Sequence, residues 1–588
     1  MFNRNAIIAV IVLGLLSNLA VADELSDNWG EFIHYAKIGR IELAQAYGQK
    51  IIDSNASPVE LLKITKETPA GYDLLLKMSA SSDELREVSD KILAILEQGR
   101  YEKRTDAAII AEEIRRLSST SRGRLQAMER LKNSGEYAVV LMLDAMADTE
   151  RKDEFANIAS ALPQIGRDAV RPLVVALQTD NVAVKAEIIK ALGDIGYSGA
   201  LAYLKYIVEN DPSPEMKTYA SSAISKIDEI AMGLTSAELF FSLADDYYYE
   251  KESLAVRSGY DFGNVWFWDA QGGRLNREEV DIKIFYQIMS MRCCEGALRA
   301  DPNIAKAIGL WLAAFIKAES KGVAMPAFFG ENHAKAMVYA QTAGAEYLHM
   351  TLARAIRDKD AYVALNAVEA LAVNAGEKSL LYRIGTEQPL IEALKFDDRA
   401  VKYSAAIAIG QAGPVINFPE SSLIIENLAQ ALVQTETEGF DKATAQQYSL
   451  RVVNVLLKLA VERNPVVNII GAKDQLIAVT ADERNDMKVL ACQTLARLNS
   501  PDAQRTIATL ALNEQLDIKV RIECFACVAV SAKMFGNLLE DSQVGQIYGL
   551  IGNEQAAAEI RTAAAGAYGA LNLPSDKVKD LILDKAKI

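Results

Sequence analysis

Residues 183–196 read AVKAEIIKALGDIG, and residues 400–413 read AVKYSAAIAIGQAG. Counting from Lys185, an apolar residue stands just before it, Leu192 seven after, Gly193 eight after and Gly196 eleven after; Lys402 repeats this with Val401, Ile409, Gly410 and Gly413. Lys488 keeps Met487, Leu495 and Asn499, and Arg561 keeps Ile560, Gly569 and Asn572. Arg521 follows Val520 but has Ala529 and Ala532 in place of both glycines, and Arg451 follows Leu450 with neither. A self-similar unit at a spacing of tens of residues is the mark of a stacked repeat architecture.

The upstream side is periodic as well. Asp180, Asp360 and Asp397 each stand 16 residues before Gly196, Gly376 and Gly413. Each unit therefore reads as a loop aspartate able to cap a helix, a helix of about three turns, and a Gly or Asn where a left-handed residue stops it. Between these lies a second helix: 167–178 sets Ala169, Leu173, Val174 and Leu177 on one face, and the preceding segment does so with Phe155, Ile158, Leu162 and Ile165. The basic residues at 451, 488, 521 and 561 step by 37, 33 and 40. One helix pair of that length cannot bury its own apolar face, so it must stack on neighbours.

On Asp180, Val184, Lys185, Ala191-Leu192-Gly193 and Ile195-Gly196, with their equivalents from Asp397 to Gly413, the chain resembles the HEAT-repeat family, in particular the short HEAT-like units first described in phycobilisome lyases. The resemblance covers about 125–230 and 350–588. It implies a structural ladder, running from repeat to repeat, for Asp180, Lys185, Asp397 and Lys402, and helix stops at Gly196 and Gly413. It also implies a superhelix whose concave face, lined by the second helices, holds a partner. Lyase activity is not carried over: those proteins act on tetrapyrroles, and an exported acidic chain departs from that setting. The expected fold is all-α, a right-handed α-α superhelix (a HEAT/armadillo-like solenoid) with a non-repeat aromatic insertion.

Residues 1–24, MFNRNAIIAVIVLGLLSNLAVADE, have Arg4, an apolar run from Ala6 to Leu16 and Ala20-Val21-Ala22 before Asp23. That is the layout of a secretory signal peptide cleaved near Ala22. Its 11-residue apolar run is shorter than the ~20 residues a membrane span needs, and no later segment is long enough. The domain reading is 1–22 signal peptide, 23–124 helical N-terminal cap, 125–235 repeats, 236–345 insertion and 346–588 repeats. In 32–53 a helix, a turn at Gly39 and a second helix are expected. The mature chain is then periplasmic or extracellular.

The insertion carries Tyr247-Tyr248-Tyr249, GNVWFWDAQGG at 263–273, and three of the four tryptophans: Trp266, Trp268 and Trp311. Alternating aromatics with glycine boundaries read as a loop or short hairpin. Tyr247, Tyr248, Tyr249, Trp266 and Trp268 are candidate partner-binding residues, since aromatics supply contact area and a polar handle; the other reading has Trp266 and Trp268 wedge the insertion onto the stack. The stretch 284–315, with Ala297-Leu298 and Asp301-Pro302, resembles a tetratricopeptide helix–turn–helix junction.

The formal charge of −15 and the lack of a Lys/Arg block oppose nucleic-acid binding. Five cysteines in so long a chain are no disulfide framework. Cys524 and Cys527 form a CxxC, but within an apolar helix, where they read as small buried side chains. The only histidines are His34, His333 and His349, and no metalloprotease, nucleotide-loop or nucleophile-elbow motif occurs. No catalytic, cofactor-binding or metal-binding residue is assigned. The reading is a non-catalytic protein-binding scaffold or adaptor; the alternatives are a carbohydrate- or small-ligand-binding module using Trp266 and Trp268, or a lyase-like modifying enzyme with its site near 236–345.

Overall fold

Asn181 Oδ1 accepts a hydrogen bond from the Val184 N–H at 3.2 Å and starts the helix Val182–Ile195, which Gly196 ends at φ +71°. The second copy does the same: Asp398 Oδ1 accepts from the Val401 N–H at 3.1 Å, and Gly413, at φ +66°, ends Arg399–Ala412. The cap thus falls one residue after Asp180 and Asp397, because the side chain that reaches the N3 amide must itself sit at the last non-helical position. Asp360 is in that position and caps Val363 at 3.0 Å. Asn572 takes the left-handed conformation expected of it, with φ +48°, whereas Gly376 does not, with φ −81°.

These observations come from a computed structural model, which describes residues 24–54, 56–257, 260–374, 376–437, 439–575, 579 and 583. The expected signal peptide lies outside the described residues. Among the described residues no helix is long and apolar enough to cross a membrane. The chain divides into two compact units: one formed by the described residues up to Met289 with Arg299–Asp301, the other by Ser290–Leu298 and the residues from Pro302 onward.

In the second unit the helices that carry the repeated register form a continuous row. Ala361–Asn374 packs on Arg399–Ala412, and the row goes on through Lys442–Glu462, Asn485–Leu495, Ile518–Phe535 and Ala558–Ala570, each against the next. A second row, Ser422–Leu432, Lys473–Val479, Pro501–Leu512 and Asp541–Gly552, packs alongside. The two layers are the all-α repeat stack that the spacing implies. Polar ties run along the first row. Arg451 donates twice to Glu369, at 2.9 Å each, while Ser404 on the intervening helix donates to the same carboxylate at 2.6 Å and meets the Tyr448 hydroxyl at 2.8 Å. Lys402 instead lies over the Tyr403 ring, 5.6 Å from its centroid.

The first unit begins with helices that lack the glycine register. Gly39, at φ +72°, turns the chain between the helix over 24–37 and Ile41–Asp53, and Trp29, Phe32, Leu75, Ile92 and Leu96 fill the core between these helices and Arg86–Thr105. The repeat helices follow. Val182–Ile195 packs on Pro214–Ile227, and Leu201–Asn210 lies between Pro214–Ile227 and Ser236–Tyr248. Ala169, Leu173, Val174 and Leu177 are all buried, as their spacing requires. The sheet consists of β1 (Phe262–Asp269) and β2 (Arg274–Asp281), an antiparallel hairpin pairing Trp266 with Arg277 and Trp268 with Leu275. Asp269 Oδ1 closes the turn by accepting from the Gln271 and Gly272 N–H groups. Ile282–Ala300 and Ala305–Glu319 are the helices before and after Asp301-Pro302 in the chain.

Candidate functional site

The hairpin is tied to the repeat helices through one buried carboxylate. Glu136, the first residue of the helix Glu136–Ala147, accepts from Asn264 Nδ2 at 2.7 Å and from Trp266 Nε1 at 3.0 Å, with Arg171 Nη2 3.8 Å away. Asn264 also donates to the Tyr137 hydroxyl at 2.9 Å and accepts from Arg277 at 2.8 Å. Arg277 bonds Glu279 at 2.6 Å and donates to the Tyr101 hydroxyl at 3.2 Å, and that hydroxyl donates to Glu279 at 2.6 Å. Burial pushes the Tyr101 and Tyr137 phenols up, so both stay protonated donors at neutral pH. Its inner members, Glu136, Asn264, Tyr137 and Trp266, are buried and paired, which fixes one orientation of the hairpin, while Arg277, Glu279 and Tyr101 extend the network toward solvent.

This placement decides what the aromatic candidates do. Trp266 is 3% exposed and faces Glu136, while Tyr247 and Tyr248 are buried on the inner side of Ser236–Tyr248. These three side chains face the protein's own core, so they cannot offer the contact area expected of a platform: strand alternation and helix pitch turn them inward. Tyr249, just past the helix, is 41% exposed, and Trp268 is half-buried beside Val184 and Ile188. The hollow at Trp268 is about 20 Å³, room for roughly one water.

A larger concavity opens elsewhere in the same unit. It has a volume of about 640 Å³ and lies among Pro58–Glu67, Arg86–Thr105, Ala107–Arg116, Ser121–Ser134 and the residues Arg257 and Tyr260. Six cations line it, Lys66, Arg100, Lys103, Arg104, Arg130 and Arg257, against two carboxylates, Glu97 and Glu113. Glu97 is held by Arg100, and Glu113 by Arg116 and Arg130. Arg104 is fixed by Ser134 O at 3.3 Å, by Asp168 at 3.6 Å, and by the Tyr137 and Tyr260 rings, with centroids at 5.2 and 5.8 Å. Arg257 donates to Asn133 O at 3.0 Å. Lys66 and Lys103 have no ion-pair partner among the described residues. Partial burial and the nearby charges of Lys103 and Arg100 lower the Lys66 pKa. No such cluster is visible in the sequence because the cations come from four segments. The local signal was RYEKR at 100–104, where Arg100 and Arg104 share a helix face one turn apart.

The remaining candidates are internal. The five cysteines are buried and none forms a disulfide among the described residues; Cys524 Sγ lies 3.6 Å from Cys492 Sγ inside the stack. Burial pushes the Cys527 thiol up to about 12, which makes it a poor nucleophile. His349 is buried, its Nε2 2.9 Å from Ser379 O, and His333 lies near Gly330 O at 3.1 Å. Among the described residues no group of three or more His, Cys, Asp or Glu side chains could hold a metal ion.

The repeated helix ends and the rows they build have a counterpart among known families. Residues 139–225 match the family model for HEAT repeats. The matched segment holds Lys185, Gly193 and Gly196, and the second repeat block carries the same helix end at Lys402, Gly410 and Gly413. No curated protein matches the chain. Solved structures similar to it include importin beta crystallised with polyethylene glycol, at 12% identity over 94% of this chain and 71% of that one, with a TM-score of 0.30. Kap121p bound to Pho4p is similar at 10% identity over 97% and 68%, with a TM-score of 0.30. UNC-45 from Drosophila melanogaster is similar at 11% identity over 95% of each chain, with a TM-score of 0.24. None of these alignments bears on ligand or partner.

Proposed function

We propose that the chain is an exported, non-catalytic HEAT-repeat scaffold or adaptor that binds another protein in the cell envelope, in the periplasm or outside the cell. The observation that carries this reading is the row of register helices in the second unit. Such rows present side chains from many repeats along one surface, which suits multipoint recognition of a protein. The placement of the paired carboxylates agrees with it. Glu136, Glu369 and Asp211 are engaged by neighbouring helices or the hairpin, which is structural use rather than chemistry.

Export rests on the N-terminal 22 residues and the absence of a disulfide framework need not oppose it, since five buried thiols are shielded by packing.

The test has two arms. Fractionation with N-terminal sequencing should find a mature chain in the envelope or medium that begins near Asp23. The purified chain should then capture a protein from the envelope fraction, and that protein, purified in turn, should bind saturably on titration. A chain that stays in the cytoplasm with residues 1–22 attached overturns export. Failure of every captured protein to titrate overturns the scaffold.

A further inference from the structure

We infer that the cleft lined by Lys66, Arg100, Lys103, Arg104, Arg130 and Arg257 is a binding site for a compact, multiply charged anion, a small molecule bearing several carboxylate or phosphate groups. The lining holds six cations against two carboxylates, and Asp168, 3.6 Å from Arg104 and 3.8 Å from Arg257, brings the excess to three positive charges in a chain whose formal charge is −15. Both carboxylates are engaged by arginines of the lining, and Lys66 and Lys103 are left without an ion-pair partner among the described residues. Uncompensated like charges in one concavity cost stability that an anion would return. Arg104 is held in place by Ser134 O, Asp168 and two aromatic rings and so forms a fixed wall of the cleft, beside which Lys66 and Lys103 remain to meet an anion.

Size and field favour a small ligand over a polymer. The volume, about 640 Å³, lies in the range typical of small-molecule sites, roughly 300–1,000 Å³. Leu62, Ile109 and Tyr260 add apolar wall beside the charges, which suits a carbon skeleton. The positive field is local: charges separated by more than about 10 Å are screened at ordinary salt. A long acidic polymer leaving the cleft would meet a surface of net negative charge, whereas a compact anion stays within the cationic rim. The inference stands whether or not a protein partner is held along the repeats.

The experiment is calorimetric titration of the purified full chain with citrate and, separately, with tripolyphosphate, at about 150 mM salt so that diffuse attraction is screened. Saturable binding of either probe is expected, weakened at least tenfold in the Lys66→Ala/Lys103→Ala variant and unchanged in Lys63→Ala/Lys77→Ala, which removes two exposed lysines of the same unit outside the cleft. Citrate alone binding assigns carboxylates, and tripolyphosphate alone assigns phosphates. The unliganded Lys66→Ala/Lys103→Ala chain should melt no lower than the wild type, because the repulsion it removes is unpaired; if it fails to fold, Lys103→Gln replaces it. No saturable heat with either probe overturns the inference, as does equal weakening in both double variants. Binding of an octaglutamate peptide with neither small anion also overturns it, since the cleft would then be a docking groove for acidic protein.

Discussion

Lys185 Nζ lies 2.5 Å from Asp211 Oδ2, joining the helix Val182–Ile195 to the loop that opens the next helix pair. Asp211 is the loop aspartate of that next unit, and its other oxygen accepts from the Ser213 N–H at 2.9 Å. A second rung, Lys226 to Asp194 at 2.7 Å, joins the same neighbours through solvent-exposed side chains. The Lys185–Asp211 pair thus ties one repeat to the next.

Burial raises the Asp211 carboxyl, but the hydrogen bonds from Lys185 and Ser213 and the charges of Lys185 and Lys217 outweigh this and hold it below the usual carboxylate value. A depressed folded pKa stabilises the fold above the unfolded carboxylate value near pH 4, and that stability is lost as pH falls through the folded value. Lys185→Ala should cost about 2–3 kcal/mol at neutral pH by leaving a buried carboxylate without its cation. Its penalty should shrink below about pH 4, as Asp211 takes up its proton. Lys226→Ala should cost less than about 1 kcal/mol. Urea unfolding at several pH values checks all three.

The two glycines of each helix end do different jobs. Gly196 and Gly413 supply the left-handed stop, whereas a Cβ on Gly193 would stand 2.8 Å from Ala223 Cβ, and one on Gly410 would stand 2.7 Å from Val455 Cγ1. Both Gly193 and Gly410 let the next row helix approach. Gly193→Ala and Gly410→Ala should each destabilise by about 1–3 kcal/mol through overpacking. Gly566→Ala, within Ala558–Ala570 with open space at its Cβ, should instead stabilise by about 0.5–1 kcal/mol. Thermal melts of the three variants test this opposition of sign.

The repeat was legible because it is written locally: Lys185, Gly193 and Gly196 belong to one helix and its stop, and Lys402, Gly410 and Gly413 to another. The caps were displaced by one residue, since Asn181 and Asp398 stand beside Asp180 and Asp397 and only geometry decides which side chain reaches the N3 amide. The hairpin was visible in its alternating aromatics and turn glycines, but the side each aromatic faces depends on Glu136, 130 residues away from Trp266. The cationic cleft was hidden for the same reason. Lys66, Arg130 and Arg257 are isolated in sequence and meet only through folding.

His349 titrates against the fold. Its Nε2 lies 2.9 Å from Ser379 O, so that nitrogen donates; Nδ1 is buried without a hydrogen-bond partner among the described residues, and desolvation lowers the pKa despite the bond to Ser379. With the folded value below the unfolded one near 6.5, the unfolded chain binds more protons as the solution turns acidic. Stability should be full above about pH 7 and fall as pH drops below the unfolded value. His349→Gln should flatten that decline relative to the wild type, even though it lowers stability at neutral pH. Denaturation midpoints measured from pH 5 to pH 8 report the slope directly, and an unchanged slope in the variant would assign the decline to other groups.

Trp266 and Trp268 separate anchoring from recognition. Trp266→Ala removes a buried indole and should cost about 3–5 kcal/mol of the first unit's stability. Trp266→Phe keeps most of the bulk but takes the Nε1 donor from Glu136, for about 1–3 kcal/mol. Trp268→Ala, at a half-buried position, should cost less than Trp266→Ala. In the native chain Trp266 should resist quenching by acrylamide and Trp268 should not, a contrast read by comparing Trp266→Phe with Trp268→Phe. If Trp266→Ala instead left stability intact while abolishing capture of a partner, the indole would serve recognition after all, and the Glu136 bond would have to be dispensable to the hairpin. The paired hydrogen bonds of Glu136, Asn264 and Trp266 argue for the first outcome, because these groups, buried between hairpin and helix, give up their partners only when the hairpin comes away.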